Sequence, residues 1–249
     1  MHLLRLLIAT PLLFLLTTLA RAGTPEVSAP DRILWIGNSF TFYNGGIPAA
    51  VEHLATQLLP PSRHGPRKFA MAAEGGAHLH HHTRRILRLL GREAQSWDVI
   101  VIQGYSDEPV NPAKRPAFRE SLRHLVRMVA ETGALPALFM TWAYRDQPEM
   151  TTALAEAYAQ AGDKTGALVV PVGLAFARAA AHPTLSLYAE GDFKHPSPAG
   201  TYLAACVFFS ALYGQPALAA GSEGRVPPEL AAYLQAVAWE TVTAYYGWE

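Results

Sequence analysis

A single cysteine, Cys206, in 249 residues excludes an internal disulfide. It sits in the apolar run 202–212, where a buried, unreactive thiol is expected. Charge is sparse as well. Only 16% of residues are charged, and Lys+Arg equals Asp+Glu at 20 each. A chain with no excess of positive charge has no general pull toward nucleic acid, so the basic stretches 63–68 and Arg84-Arg85 read as solvated surface. Repeats, low-complexity tracts and domain-sized linkers are missing too, which leaves one domain. The one long apolar run without charge, residues 6–19, is short for a membrane span and carries Pro11. With the basic head Met1-His2-Leu3-Leu4-Arg5 before it and Ala20-Arg21-Ala22 after it, this run reads as a secretory signal peptide cut after Ala22. Its removal takes Arg5 and Arg21 and no acid, leaving 18 basic against 20 acidic residues. No cysteine follows the cut, so a lipid-modified terminus is not expected. The mature chain is then residues 23–249, a single secreted or periplasmic domain without a membrane span.

Apolar residues are plentiful, at 50% of the chain. They fall into short β-branched runs alternating with stretches of helical spacing. Ile33-Leu34-Trp35-Ile36 suits a central parallel strand covered on both faces. Gly37 lets the chain turn sharply there and delivers Ser39 into a loop at the strand's carboxyl end. Pro48 stands in the first turn of a helix expected over 47–59. Further strands are expected at 68–73, 99–102, 137–142 and 167–172. Helices are expected at 79–90, 116–132, 149–160, 176–180, 196–213 and 228–245. This alternation predicts a three-layer α/β/α domain around a parallel sheet of about five strands. Open sheets of that kind bind their ligands at the carboxyl ends of the strands.

Two segments carry chemistry. A serine on a strand–turn–helix layout is where a nucleophilic hydroxyl belongs. Asn38, Ser39 and Thr41 are also common loop and capping residues. Near the other end, Pro196 and Pro198 hold His195 in a loop just before a helix. Asp192, three residues earlier, is within reach of the imidazole Nδ1, which leaves Nε2 for a hydroxyl. A surface Asp/His pair capping the helix is the plainer alternative. In His78-Leu79-His80-His81-His82, helical spacing would let His78 share a Zn²⁺ with His81 or His82. Only Glu74 is near enough in sequence to complete such a site, so a polar helix start and pocket rim, with no metal, is expected. Tyr105, Ser106 and Trp142 follow strand ends, to touch a sugar or acyl group or to pack beneath a loop.

Gly37-Asn38-Ser39-Phe40-Thr41, together with Asp192-Phe193-Lys194-His195-Pro196, resembles the SGNH (GDSL-type) serine hydrolase superfamily, over residues 33 to about 212. The resemblance implies a flavodoxin-like sandwich of about five parallel strands. It also implies Ser39 as nucleophile, His195 as base and Asp192 as its orienting carboxylate. An oxyanion hole would come from the Ser39 N–H, the Gly76 N–H (Gly75 in the alternative register) and a side chain after the third strand. Here the sequence departs from the pattern: Gln103 stands where the family carries a Gly-x-Asn-Asp segment. This marks a sub-branch with glutamine, whose amide donor sits on a stem one methylene longer. The implied activity is hydrolysis of a carboxylic ester without a cofactor, and export suggests a small acyl group on a carbohydrate or related substrate. Alternatives are a non-catalytic ligand-binding module of the same fold, and acyl transfer by the same three residues. A flavin-binding protein, with phosphate cradled after the first strand, fits poorly with a loop holding one glycine.

Overall fold

Alternate residues of each strand point to opposite faces, and here both faces are apolar. Five strands, β1 (Arg32–Gly37), β2 (Lys68–Ala73), β3 (Val99–Ile102), β4 (Leu135–Phe139) and β5 (Leu168–Val170), form one parallel sheet in the order β2-β1-β3-β4-β5. This is the expected α/β fold. The computed structural model describes residues 29–62, 65–83, 86, 97–222 and 224–248. The expected signal peptide lies outside the described residues, as do Arg63, Arg84, Arg85 and most of the second half of the helix expected over 79–90. Residues 79–83 are helical. Among the described residues no helix is long and apolar enough to cross a membrane.

The remaining helices are α1 (Ser39–Phe42), α2 (Ile47–Leu58), α3 (Arg115–Ala130), α4 (Met150–Thr165), α5 (Val172–Ala179), α6 (Pro198–Tyr213) and α7 (Pro228–Tyr246). Ile33, Trp35, Val99, Val101, Phe139 and Val170 face one layer, packing with α2, α5, α6 and α7. Leu34, Ile36, Ile100, Ile102, Leu138 and Val169 face the other, with α3 and α4. Every residue of α6 from Gly200 to Leu212 is buried, so it is the central helix of its layer, flanked by α2 and α7. An apolar helix of this kind needs no amphipathic stripe.

Two strand ends differ from expectation. β4 stops at Phe139 rather than 142, because the Met140 carbonyl accepts from the Gly173 N–H of α5 at 3.1 Å. Gly173 lies so close that a Cβ there would collide with the Thr141 carbonyl. β5 ends at Val170 because Pro171, with no N–H, cannot extend the ladder and leads into α5. Gly37 also plays another part than a turn. It remains in the strand, and its missing side chain makes room for Thr41 Oγ1 and Gln103 Oε1, both of which a Cβ would strike. The strand order reverses between β1 and β3, so the crevice beyond their carboxyl ends is where this fold binds ligands.

Candidate active site

Beyond Gly37 the chain folds at once into the single helical turn α1, where a loop was expected. Asn38 caps it by accepting from the Phe40 N–H at 3.2 Å, and Ser39 is its first residue, part-buried at the end of β1. A second tight turn, Tyr43–Gly45, follows, with Asn44 in the left-handed region (φ 52) that asparagine tolerates better than most residues. The payoff of that conformation is contact with the far end of the chain. Asn44 Nδ2 donates to the Pro196 carbonyl at 2.7 Å and to Thr201 Oγ1 at 3.1 Å. The Tyr43 ring stacks on the His195 imidazole, centroids 4.6 Å apart.

The other half of the site is a loop closed just ahead of α6. Ser197 caps that helix, accepting from the Gly200 N–H at 3.1 Å and donating to the Ser186 carbonyl at 2.7 Å. Trp142, fully buried between Phe40 and Phe176, donates its Nε1–H to the Lys194 carbonyl at 2.8 Å. It packs beneath the loop and touches no open surface. These contacts bring together residues 156 positions apart: Ser39 Oγ lies 2.9 Å from His195 Nε2. His195 Nδ1 lies 2.7 Å from Asp192 Oδ2, while Asp192 Oδ1 accepts from the backbone N–H groups of His195 (2.9 Å) and Lys194 (2.7 Å). Partial burial works against ionisation of Asp192. The two backbone donors and the imidazole outweigh it and hold the carboxyl down at about 2. An ionised Asp192 accepts a hydrogen bond from Nδ1–H and keeps the proton on that nitrogen, so Nε2 presents its lone pair to the serine hydroxyl.

Gln103 sits after β3 as expected, but its amide is already occupied. Nε2 donates to Asn38 Oδ1 (2.7 Å) and the Gly104 carbonyl (2.9 Å), and Oε1 accepts from the Asn38 N–H (3.1 Å) and Thr41 Oγ1 (2.6 Å). Fully buried and with both N–H bonds used, it has no donor left for an oxyanion. The expected third donor is thus corrected to a positioning residue. Its longer stem is what lets it pass beneath Asn38 and lock the turn that bears Ser39. Asn38 completes the lock, its Nδ2 donating to the Ala77 (3.0 Å) and Gly104 (3.2 Å) carbonyls. The bond to Ala77 fastens the Gly76 turn beside Ser39. Gly76 is exposed and left-handed (φ 69), a conformation that favours glycine. Among the described residues, neither the Ser39 nor the Gly76 backbone N–H has a protein acceptor.

Solved structures with this architecture include a protein from Slackia heliotrinireducens assigned to the SGNH hydrolases. It is 32% identical, with a TM-score of 0.60, over 73% of this chain and 98% of that one. The chain belongs to the SGNH hydrolase superfamily. A DUF4886 family protein from Bacteroides uniformis shares the fold at 20% identity and TM-score 0.66, over 86% of this chain and 95% of that one. So does the psychrotrophic esterase EstA from Pseudoalteromonas sp., in a structure inhibited by monoethylphosphonate, at 15% identity and TM-score 0.55, over 74% and 97%. No family model matches the chain, and no curated protein does.

Around this SGNH centre the structure adds residues that pattern reading passed over. Glu108, in the loop after β3, is 2% exposed. Its carboxylate meets His78 Nδ1 at 2.6 Å and accepts from the Tyr105 N–H at 2.7 Å, tying the loop after β2 to the loop after β3. His78 also stacks on the Tyr105 ring, centroids 4.6 Å apart. His81 Nδ1 accepts from the His78 N–H at 3.1 Å, and His82 is buried. Among the described residues no three His, Cys, Asp or Glu side chains are grouped to hold a metal. Ser106 is buried too, and shares a hydrogen bond with the Tyr144 hydroxyl at 2.8 Å. Of these, Tyr105 and Ser106 carried a prior signal by their place just past a strand end, and the histidine run 78–82 by its spacing. Tyr43, Asn44 and Glu108 carried none, because each acts on a segment distant in sequence.

Proposed function

We propose that this SGNH protein hydrolyses carboxylic esters through Ser39, His195 and Asp192. The 2.9 Å approach of Ser39 Oγ to His195 Nε2, with Nδ1 held by Asp192, carries the reading. Ser39 Oγ attacks the ester carbonyl as its proton passes to Nε2, and the resulting imidazolium returns that proton to the departing alcohol oxygen. Water then adds to the acyl-enzyme by the same route and releases the acid. The Ser39 and Gly76 N–H groups face the developing oxyanion, without a side-chain amide to assist. With a leader at residues 1–22 taking the protein out of the cytoplasm, the substrate is a small acyl ester, such as an acetyl group on a carbohydrate.

The test is release of nitrophenol from 4-nitrophenyl acetate, followed by a screen of acetylated sugars. Ser39→Ala and His195→Ala should each abolish turnover, and full activity in Ser39→Ala would refute the assignment. The occupied Gln103 amide favours a second reading, a binding module of the same fold that has lost turnover. A fluorophosphonate probe separates the two, since it labels Ser39 only if that hydroxyl is activated.

A further inference from the structure

The loop that bears His195 also bears a cation with no ion-pair partner among the described residues. Lys194 is anchored through its backbone, its N–H on Asp192 Oδ1 and its carbonyl on the Trp142 indole. Its ammonium lies over the Tyr105 ring, Nζ 5.8 Å from the centroid. Tyr105 follows Gly104, whose carbonyl is bonded to Asn38 beside Ser39, so the ring stands in the wall of the same cleft. His78 stacked on the ring and Glu108 on its backbone N–H keep that wall in place.

Three carboxylates along the wall already hold side-chain partners. Glu108 is committed to His78, and Asp192 to His195. Asp107 takes the Lys114 ammonium at 2.8 Å, itself 4.8 Å from the Tyr105 centroid. Lys194, by contrast, forms no ion pair among the described residues. Arg145 repeats the pattern next door. Its guanidinium lies 4.9 Å from the centroid of Phe193, whose side chain is 52% exposed, and it too makes no ion pair among the described residues. Two cations, each laid over an aromatic ring and without an ion pair among the described residues, thus flank the segment carrying the base.

Resting on the ester-hydrolase reading above, we propose that Lys194, with Arg145 beside it, selects esters that carry an anionic group. Such a group would give Lys194 the ion-pair partner it lacks among the described residues, in a cleft where one ion pair is only partly screened by water. Placement of the anion on the acyl or the alcohol side is resolved by two substrate pairs. The first compares 4-nitrophenyl hydrogen glutarate with 4-nitrophenyl valerate. The second compares 4-carboxyphenyl acetate with 4-carbamoylphenyl acetate. At low ionic strength kcat/KM should favour the anionic member of at least one pair by about tenfold, and the ratio should shrink in about 0.5 M NaCl. Lys194→Met should bring that ratio close to one, Lys194→Glu should invert it, and Lys194→Arg should keep it. Ratios near one in both pairs, or a ratio that Lys194→Glu leaves unchanged, would overturn the proposal. Ser39→Ala runs in parallel: turnover surviving in it removes the esterase reading itself, whereas an inert Ser39→Ala beside a charge-indifferent wild type removes only the specificity.

Discussion

Asp192 gathers three hydrogen bonds from its own loop, two from backbone N–H groups and one from the imidazole it orients. Because these favour the charged form, its carboxyl titrates near 2 in the folded protein against 3.8 in an unperturbed chain. A depressed folded pKa means stability that is fully present above pH 3.8 and disappears as pH falls through about 2. Asp192→Asn should therefore lower the melting temperature at pH 6, with the gap from wild type closing between about pH 4 and pH 2. A gap that stays constant across that range would show the carboxylate to be unimportant to the loop. Turnover should collapse at every pH, since an asparagine does not hold the imidazole in the tautomer that leaves Nε2 open. Asn38 and Gln103 belong to the same class of residue: amides that position the serine by saturating each other.

α6 shows how one secondary-structure element sets the placement of His195 against Ser39. Its cap, Ser197, directly follows the His195-Pro196 pair, so a shift of the helix start moves the base. Gly200 allows that start to lie against the Leu187 carbonyl, which accepts from the Ser197 N–H at 2.8 Å, and a Cβ at Gly200 would collide with that carbonyl. Gly200→Ala should cost about 1–3 kcal/mol of stability, read as a lower urea midpoint. It should also reduce kcat more than it raises KM, because the displaced group acts in the chemical step. The strands tell a complementary story. β1 and β3 were legible from β-branched runs and β2 from a short apolar run between turns, while β4 and β5 ended early for reasons of packing: an incoming helix N–H took the Met140 carbonyl, and Pro171 closed the ladder.

For the molecule as a whole, α6 is the most deeply buried helix of the core on its face of the sheet. Cys206, on that helix, is wholly buried, and desolvation pushes its thiol up to about 12. A disulfide reagent such as DTNB should leave native protein unmodified on the timescale at which urea-unfolded protein reacts fully. Labelling should appear only along the urea unfolding transition. Fast labelling under native conditions would mean that α6 opens separately from the rest of the fold.

Short-range physics made much of this protein readable in advance. Strand and helix alternation follows from hydrophobic periodicity, which depends on neighbours two to four positions away. The serine segment and the Asp-x-x-His segment were visible because their residues lie next to one another along the chain. What pattern could not supply was the choice of partners across the fold. The Gln103 amide had equal claims on an oxyanion and on Asn38, and only the close approach of Gly37, Thr41 and Asn38 directs it to the latter. Glu108 has no partner visible in the sequence until folding brings His78 to it from the loop after β2. Hydrogen bonds and ion pairs act over about 3–4 Å of space whatever the separation in sequence, so their assignment waits until the chain has folded.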